Sequence, residues 1–368
     1  MHESQYKLWL RLKSIKGLGA NQIKKLLKYF PSVEEIFRAG KAKLSELQFL
    51  NNKVIYQLCH KVETDFVKKQ ILLIDKYNVN LLNFEEEEYP DLLKFIYSPP
   101  IILYVNGKIN PEDNNAFAIV GTRKASSYGK TQATRLSMGL AKSGFTIVSG
   151  LAYGIDAAAH RGALEAGGRT IAVFGTGLDT IYPHVHKRLA TNILSSGALI
   201  SEFPLQSKIE KWNFPTRNRI ISGMCKGVLV VEGKKTSGSL LTAKEGLRQN
   251  RDIFAIPGNI NREESVGPNY LIKLGAKIVT CVDDILEDYK IKLINESEKK
   301  NSKLKPSVKM TKQERKIYKI LRDNKRKLLF DKLVTKSTYG VSKLSSILLS
   351  MEIKGIVERQ AQNYYQLI

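Results

Sequence analysis

The first 77 residues have the hydrophobic pattern of amphipathic helices. From about residue 4 to residue 77, apolar side chains recur three and four positions apart, with polar or basic side chains between them. The acidic run from Glu85 to Glu88, followed by Tyr89 and Pro90, interrupts this pattern and is typical of a solvated linker. We therefore predict an N-terminal helical domain over residues 1–84.

A short glycine motif lies inside this helical region. Residues 15–20 read IKGLGA, and the helix-like run NQIKKLLKYF follows them. Gly17 and Gly19 let a backbone approach a phosphate closely, and the helix behind them offers free N–H groups. The motif resembles the turn of a helix-hairpin-helix (SAM-like) domain. A turn between two helices that binds nothing can have the same residues, so both interpretations stay open here.

Between residues 117 and 288 the period of the pattern changes. Short apolar runs of strand length alternate with helical segments, and glycine or serine follows the runs closely. This alternation predicts an α/β fold with a Rossmann-like parallel sheet, which we place in residues 85–289. The predicted strands are residues 117–120, 145–148, 170–174, 198–201, 227–232 and 253–256.

The C-terminal region combines a polar segment with a compact one. Residues 290–309 are lysine-rich and nearly without large apolar side chains, which is typical of a flexible basic linker. Within residues 310–368, the segments 311–321, 327–334 and 341–355 have helical patterns, and the run IVERQAQNYYQLI alternates like a hairpin. Three helices followed by a hairpin predict a winged-helix-like domain.

Small residues follow all six predicted strands. Parallel sheets bind ligands beyond the carboxyl ends of their strands, so a site is expected in these loops. Glycine permits a close backbone approach, and the helix N-termini behind the loops present N–H donors, so the set suits phosphate or another anion. Asp156 is interpreted as a cap or loop anchor. The candidate loop residues are Gly121, Thr122, Ser149, Gly150, Gly154, Asp156, Gly175, Gly177, Ser237, Gly238 and Thr242.

Cationic and aromatic side chains accompany these loops. Guanidinium groups hold phosphate with a fork of donors, and aromatic faces stack on bases. A single arginine is explained equally well by a solvated charge or an ion pair, but residues 213–223 interleave their arginines closely with apolar residues. We interpret the set as a nucleic-acid-binding surface. Its candidate residues are Arg123, Tyr182, Phe214, Arg217, Asn218, Arg219, Lys234 and Lys235.

The charge of the chain agrees with a polyanionic partner. Of 368 residues, 59 are Lys or Arg and 35 are Asp or Glu, so the formal net charge is +24. Residues 290–368 hold 20 basic and 7 acidic side chains, which is more than half of this excess. Because lysine-rich genomes raise the charge of ordinary proteins too, the distribution of charge is more informative than its sum.

The sequence also bears on where the protein works. Its longest apolar stretches are far shorter than the roughly 20 residues that span a bilayer, and its N-terminus lacks a secretory signal pattern. Cys59, Cys225 and Cys281 fit no zinc spacing, and their odd number suits a reducing compartment. We expect a cytoplasmic protein with no membrane partner and with three cysteines that act as small buried hydrophobes.

Enzyme motifs match this sequence poorly. The segment KASSYGKT has the end of a Walker A loop, but Gly121 precedes Gly129 by eight residues instead of five, so the loop does not close normally. The first predicted strand is not followed by G-x-G-x-x-G. His184 and His186 have no third ligand at metal spacing and are interpreted as exposed loop residues. We expect no catalytic residue, no metal and no cofactor, and hence no enzyme.

Eight segments of the α/β region, taken in order, resemble those of the DNA-processing protein A family, DprA, also called Smf. They are VGTR, SGLAYGIDAAAH, GTGLDTIYP, SEFP, FPTRNRIISG, VVEGKKTSGSLLTA, AIPG and GPNYLIKLGA. This resemblance implies a protein that binds single-stranded DNA, protects incoming DNA from nucleases and loads the RecA recombinase in natural transformation. It also implies a homodimer formed through the Rossmann-like domain.

A second group of proteins with a similar sheet has a different function. Phosphoribohydrolases that resemble lysine decarboxylases have the signature P-G-G-x-G-T-x-x-E, and the aligned segment here is SGSLLTAKE. Gly238, Thr242 and Glu245 match that signature, whereas two glycines and the proline are missing. A nucleotide-binding sensor or a nucleotide phosphoribohydrolase-like enzyme is therefore the alternative to a DNA-binding protein, and competition by mononucleotide distinguishes the two.

Overall fold

The structure is a computed structural model of this chain. It describes residues 3–60, 65–289, 310–323, 327–354, 356–360 and 364–367, so the predicted basic linker at 290–309 lies outside the described residues. The chain divides into two compact units, Met1–Leu293 and Ile294–Ile368. Each unit has its own hydrophobic core.

Six helices form the N-terminal part of the first unit, as the apolar spacing predicts. Side chains such as Leu10, Leu26 and Leu58 are fully buried in one cluster, because they lie on the inward faces of their helices. The helices are α1 Glu3–Ser14, α2 Ala20–Tyr29, α3 Val33–Arg38, α4 Lys41–Ser45, α5 Asn52–Cys59 and α6 Asp65–Lys76.

The glycine motif forms the turn between α1 and α2. Gly17 has a φ of +85°, which an L side chain rarely adopts, and Gly19 is the N-cap of α2. The amide N–H of Gly19 donates to Oε1 of Gln22 at 3.0 Å. This donor at the tip of the hairpin is therefore engaged inside the chain.

A nine-stranded sheet forms the centre of the first unit. Its strand order is β1-β2-β6-β5-β4-β3-β7-β8-β9. The β1–β2 and β2–β6 pairs are antiparallel, and the remaining pairs are parallel. The strands are β1 Asn80–Asn83, β2 Ile102–Gly107, β3 Ala116–Val120, β4 Thr146–Ser149, β5 Thr170–Phe174, β6 Ala198–Ser201, β7 Gly227–Val230, β8 Asp252–Ala255 and β9 Lys277–Ile278.

All six predicted strands are present, with ends that differ by at most two residues from the prediction. The sheet also holds three strands that the pattern did not predict, namely β1, β2 and β9. β1 lies within residues 1–84, where we expected helices, and it pairs with β2. The mostly parallel sheet confirms the predicted α/β class.

Helices cover both faces of the parallel part of the sheet. Along β3, Ala118 and Val120 pack into the cluster that contains Ile220 and Ala243, while Phe117 and Ile119 pack on the other side. This alternation follows from the two-residue period of a strand. The helices are α7 Asp91–Lys94, α8 Ser127–Lys142, α9 Ile155–Glu165, α10 Lys187–Leu194, α11 Asn213–Gly223, α12 Gly238–Arg248, α13 Glu263–Lys273 and α14 Asp283–Leu286.

The second unit contains three helices and a three-stranded antiparallel sheet in its described part. The strand order is β10-β12-β11. The prediction of a helix over 327–334 was wrong at its start, because residues 327–329 pair with β12 as a strand. The elements are α15 Lys312–Asp323, β10 Lys327–Leu329, α16 Phe330–Ser337, α17 Val341–Ile353, β11 Val357–Gln360 and β12 Tyr364–Leu367.

A buried ion pair ties two helices of the second unit together. Glu314 of α15 is almost fully buried and accepts hydrogen bonds from the Lys354 ammonium group at 2.7 and 2.8 Å and from Ser350 at 2.8 Å. Burial raises the pKa of Glu314, but these donors outweigh burial and hold it near 2. Lys354 is therefore committed to a contact inside the unit.

The sequence also predicts buried cysteines and no membrane-spanning helix. Of the three cysteines, Cys225 is buried as expected, whereas Cys59 and Cys281 are only half-buried, so the expectation was wrong for them. Across the described ranges, no helix is both long enough and apolar enough to cross a membrane.

Candidate nucleic-acid site at the carboxyl edge of the sheet

An open pocket of about 660 Å³ lies at the carboxyl ends of β3 and β7. The chain runs from β3 to β4 on one side and later places β7 on the other, so the strand order reverses here. Ligands of α/β proteins bind at such a reversal. We call this the switch-point pocket. Its lining residues are Val120, Gly121, Thr122, Arg123, Lys124, Ala152, Asp156, Tyr182, Ile209, Lys211, Phe214, Pro215, Arg217, Asn218, Ile221, Ser237, Gly238, Ser239, Leu241 and Thr242.

A guanidinium group and two aromatic rings form one wall of the pocket. The Arg123 guanidinium carbon lies 5.4 Å from the centre of the Phe214 ring, within the range of a cation–π contact. The Tyr182 ring is 5.7 Å from the same ring. Both Arg123 and Tyr182 are partly open to solvent, so this wall offers a cation and aromatic faces to a ligand.

Arg217 forms the inner wall and is only 4% exposed. Its guanidinium donates to the carbonyl oxygen of Val173 at 3.0 Å, and its Nε has no hydrogen-bond partner in the described structure. Burial lowers the pKa of Arg217 to about 10, although the negative charge of Asp156 opposes this shift. At neutral pH the side chain is therefore a buried cation with a donor left over.

Asp156 is the counter-charge to Arg217 and also anchors the loop after β4. Its Oδ2 accepts the amide N–H groups of Gly150 at 3.1 Å and Ala152 at 3.4 Å, as expected for a loop anchor. Burial raises its pKa, against the effects of Arg217 and these two amides. The carboxylate thus has a structural role that needs no ligand.

Packing alone requires glycine at two positions next to the pocket. A Cβ on Gly150 would lie 1.4 Å from a guanidinium nitrogen of Arg217. Gly154 has a φ of +77°, and its Cβ would lie 2.3 Å from the carbonyl oxygen of Thr122. Glycine at these two positions lets the loops after β3 and β4 close around the buried arginine.

The floor of the pocket is polar and comes from α11 and α12. The carbonyl oxygen of Gly238 accepts from the Asn218 amide at 3.3 Å and from the Thr242 hydroxyl at 3.3 Å. The Ser237 and Ser239 hydroxyls lie 2.6 Å apart, so one donates to the other. Side chains with both donors and acceptors can serve the phosphate or the sugar of a nucleotide.

Eleven of the predicted residues line the switch-point pocket, and eight do not. Gly150 lines a small adjoining cavity of about 40 Å³ together with Tyr153, Arg123 and Arg217. Ser149 donates to the carbonyl oxygen of Ile119 at 2.7 Å. The predicted residues that do not line the pocket are Ser149, Gly150, Gly154, Gly175, Gly177, Arg219, Lys234 and Lys235.

Three of these predicted cations contact other residues of the chain. Arg219 pairs with Glu202, Lys234 pairs with Glu263 at 2.5 Å, and the Lys235 ammonium lies 4.6 Å from the centre of the Tyr270 ring. Gly175 and Gly177 serve packing, since a Cβ on Gly175 would lie 2.9 Å from the Phe214 ring.

Sequence reasoning missed several lining residues. Lys124 and Lys211 are exposed and line the pocket, and Ile209 and Leu241 add apolar surface. Lys124 follows Arg123 directly, so its position after the first predicted strand was a usable signal. His186 was misjudged, because it is buried, with Nδ1 at 2.8 Å from the carbonyl oxygen of Leu151.

The pocket gathers several groups that can contact an anionic ligand. It brings together a buried cation, an exposed guanidinium on an aromatic ring and a floor of hydroxyl and amide groups. Within the part of the chain that the structure describes, no group of His, Cys, Asp and Glu is arranged to hold a metal ion. The fold and site define a Rossmann-like protein with a cationic, aromatic-lined pocket at the carboxyl edge of its sheet.

Comparison with known proteins identifies the family. The chain belongs to the DNA recombination-mediator protein A family, whose model matches residues 80–290. A second model, the SAM-like helix-hairpin-helix tandem, matches residues 10–61 and confirms a helix-hairpin-helix-like domain at the N-terminus.

Two named relatives show how far the similarity extends. The chain is 36% identical over 290 residues to the DNA processing protein DprA of Streptococcus pneumoniae, which is 78% of this chain and 99% of that protein. It is 45% identical over 223 residues to the protein Smf of Escherichia coli, which is 60% of each.

Two solved structures are also similar. The X-ray structure of DprA from Streptococcus pneumoniae has a TM-score of 0.67 and 35% identity, over 78% of this chain and 97% of that one. A structure described for the single-stranded DNA binding mode of DprA from Helicobacter pylori has a TM-score of 0.52 and 28% identity, over 58% of this chain and 95% of that one.

Proposed function

We propose that this chain binds single-stranded DNA in the switch-point pocket, without strong sequence preference, and takes part in DNA processing during transformation. The observation that carries this proposal is that Arg123, on the Phe214 ring, and the buried Arg217 line the same pocket. One guanidinium is available to a backbone phosphate, and the ring is available to a base. The binding mode named for the Helicobacter pylori relative supports the same ligand.

The finer parts of the proposal rest on family membership. We propose that the chain protects incoming DNA from nucleases, loads the RecA recombinase onto it and forms a homodimer through the α/β region. It acts in the cytoplasm by binding and not by catalysis. We also propose a division into a helical domain (1–84), a Rossmann-like domain (85–289), a linker (290–309) and a winged-helix-like domain (310–368). Residues 80–83, at the end of the first of these, form β1 of the central sheet.

The hydrolase alternative has less support in the geometry. Glu245 would be the acidic residue of the phosphoribohydrolase signature, yet it is not among the residues that line the pocket. Its carboxylate instead pairs with Arg248 at 2.7 Å. A pocket of about 660 Å³ is nevertheless large enough for one nucleotide, so the experiment must include free nucleotides.

Fluorescence anisotropy of labelled single-stranded oligonucleotides tests the function. We expect binding that weakens steeply as salt rises, because contacts with the backbone release counterions. An excess of mononucleotide should compete poorly. Mononucleotide binding as tight as oligonucleotide binding, with little salt dependence, would support the nucleotide sensor or hydrolase instead.

The proposed partners need separate measurements. Light scattering after size-exclusion chromatography of residues 1–289 should give the mass of a dimer at high micromolar concentration, and a strict monomer would contradict the proposed dimer. For RecA, the rate of filament formation on DNA coated with single-strand-binding protein should rise when this chain is added. An unchanged rate would contradict the loading role.

A further inference from the structure

A second open pocket, of about 530 Å³, lies at the same edge of the sheet, beyond the ends of β7 and β8. We call it the β7–β8 pocket. None of the residues that the sequence assigned to DNA lines it. Its lining residues are Tyr128, Glu232, Pro257, Gly258, Asn259, Arg262 and Ser265.

The two pockets are neighbours, because two chain segments contribute to both. The segment after β3 gives Arg123 to the switch-point pocket and Tyr128 to the β7–β8 pocket. The segment after β7 gives Glu232 to the β7–β8 pocket and residues 237–239 to the switch-point pocket. Only residues 233–236 separate them along this second segment.

The separating loop carries Lys234 and Lys235. Backbone hydrogen bonds tie the loop to α13, since the Gly233 amide donates to Glu264 at 2.6 Å and its carbonyl oxygen accepts from Gly267 at 2.8 Å. The side chains of Lys234 and Lys235 also contact residues of α13. The loop that carries these two lysines therefore connects the segments that line the two pockets.

The polar groups of the β7–β8 pocket divide into one anion and one cation. Glu232 is 4% exposed, and its carboxylate accepts from the amide N–H of Ser126 at 2.9 Å and from the Ser126 hydroxyl at 2.5 Å. A carboxylate has about four acceptor positions, so two remain for donors on a ligand. Arg262 is exposed, and its guanidinium makes no ion pair or hydrogen bond with the described residues.

The aromatic group of this pocket is also available. Tyr128 lies in the first turn of α8, is 46% exposed and makes no ring contact within the described ranges. A tyrosine face stacks on any base. A nearby carboxylate repels phosphate and accepts from the amino group of a base, so Glu232 favours a base over a phosphate at its end of the pocket.

We propose that the β7–β8 pocket is a second nucleotide subsite, filled by a DNA strand that also occupies the switch-point pocket. Arg262 holds a phosphate of the strand, Tyr128 stacks on a base, and Glu232 accepts from the amino group of that base. The proposal rests on the proposed function, and it adds a path for the strand over the loop with Lys234 and Lys235.

The test is the dependence of affinity on oligonucleotide length. Anisotropy titrations use fluorescein-labelled oligodeoxyadenylates from about 4 to about 16 nucleotides, with the unsubstituted chain, Arg262→Ala, Tyr128→Ala and Tyr128→Phe. Arg248→Ala is the matched control, since Arg248 is an exposed arginine in the last turn of α12, the end away from the pockets. Each titration is repeated at several salt concentrations.

Arg262→Ala should weaken binding of the longest strands about tenfold and should leave the affinity for the shortest strands unchanged. For the longest strands, the slope of log affinity against log salt concentration should fall in magnitude by about 1. Tyr128→Ala should show the same dependence on length, and Tyr128→Phe should bind like the unsubstituted chain because it keeps the ring. Arg248→Ala should alter neither affinity nor slope.

Three results would overturn the subsite while leaving the proposed function intact. They are no effect of Arg262→Ala at any length, an equal loss at every length, or a loss confined to the binding of free deoxyadenosine monophosphate. Failure of the unsubstituted chain to bind any oligonucleotide is a different result, which overturns the proposed function together with the subsite.

Discussion

The carboxyl edge of the large sheet and the C-terminal region present positive charge in different ways. At the sheet edge, Arg217 is buried against the carbonyl oxygen of Val173, and Arg123 lies over the Phe214 ring. Residues 290–368 contain 20 basic and 7 acidic side chains, so this region carries more than half of the net positive charge of the chain. Lys343 and Lys354 are the basic residues within 341–354, however, and the Lys354 ammonium group is paired with Glu314.

The two regions differ in how their cations are held as well as in how many they contain. A cation held in one position loses little conformational entropy when it meets a phosphate, whereas a solvated lysine side chain loses more. A cluster of positive charges of either kind attracts a polyanion from a distance and speeds the encounter. We therefore expect the sheet edge to dominate affinity and the C-terminal region to contribute mainly to the association rate.

The substitution Arg217→Ala should have the largest effect. It removes a charged donor and leaves Asp156 buried without its counter-charge, so we expect affinity for single-stranded DNA to fall about 100-fold, or nearly 3 kcal/mol. Anisotropy measures the affinity, and circular dichroism shows whether the variant is folded. A folded Arg217→Ala variant with unchanged affinity would contradict the placement of the site.

Substitutions in the outer wall should have the next largest effect. Arg123→Ala and Phe214→Ala should each weaken binding about tenfold, because one removes a phosphate contact and the other a stacking face. Since the two groups are in contact, their effects should be non-additive by about 0.5 to 1 kcal/mol in a double-mutant cycle. Arg161→Ala, an exposed arginine on α9, is the control, and a comparable loss there would mean that charge alone matters.

Removal of residues 290–368 should have a modest effect. We expect the association rate to fall several-fold at low salt and the preference for single strands over duplex to persist. The difference from the full chain should vanish at high salt, because long-range attraction is screened. Stopped-flow fluorescence measures the rates. No change would indicate a protein-interaction module with no DNA role, and loss of all binding would place the main site in the C-terminal region.

Single lysines of the predicted linker should contribute less to affinity than the arginines at the sheet edge. Lys299 and Lys303 lie outside the described residues, and each is one of many lysines there. Lys299→Ala and Lys303→Ala should cost less than about 1 kcal/mol of binding free energy in titrations at physiological salt. A cost equal to that of Arg123→Ala would show that the sheet-edge site is wrongly placed.

Much of the fold could be predicted because its signals are local. The period of apolar residues located six strands to within two residues. The rule that ligands bind at the carboxyl ends of parallel strands selected eleven residues that line one pocket in the structure. β10 was missed because a three-residue strand is too short to show a period. The partners of Lys234 and Lys235 lie on α13, about 30 residues further along, and sequence spacing does not reveal such long-range contacts.

Arg217 and Arg219 show the same limit within a single helix. They are two residues apart, and two residues of an α-helix are separated by about 200° around its axis. Arg217 therefore faces the switch-point pocket, whereas Arg219 reaches Glu202, whose backbone carbonyl also accepts from the half-buried Lys13 of α1. The sequence does not distinguish the two arginines. The packing of α11 against the sheet directs only Arg217 to the pocket.

Arg219→Gln should have the smallest effect on DNA. Both partners of the Arg219–Glu202 pair are largely buried, so the substitution removes the cation that pairs with the Glu202 carboxylate and should reduce the free energy of unfolding by about 1 to 3 kcal/mol. Affinity for single-stranded DNA should stay within about twofold of the unsubstituted chain, because Arg219 does not line the pocket. Chemical denaturation and anisotropy on the same preparation measure the two quantities. A loss of affinity as large as that of Arg217→Ala, with stability unchanged, would mean that Arg219 leaves Glu202 to contact the strand.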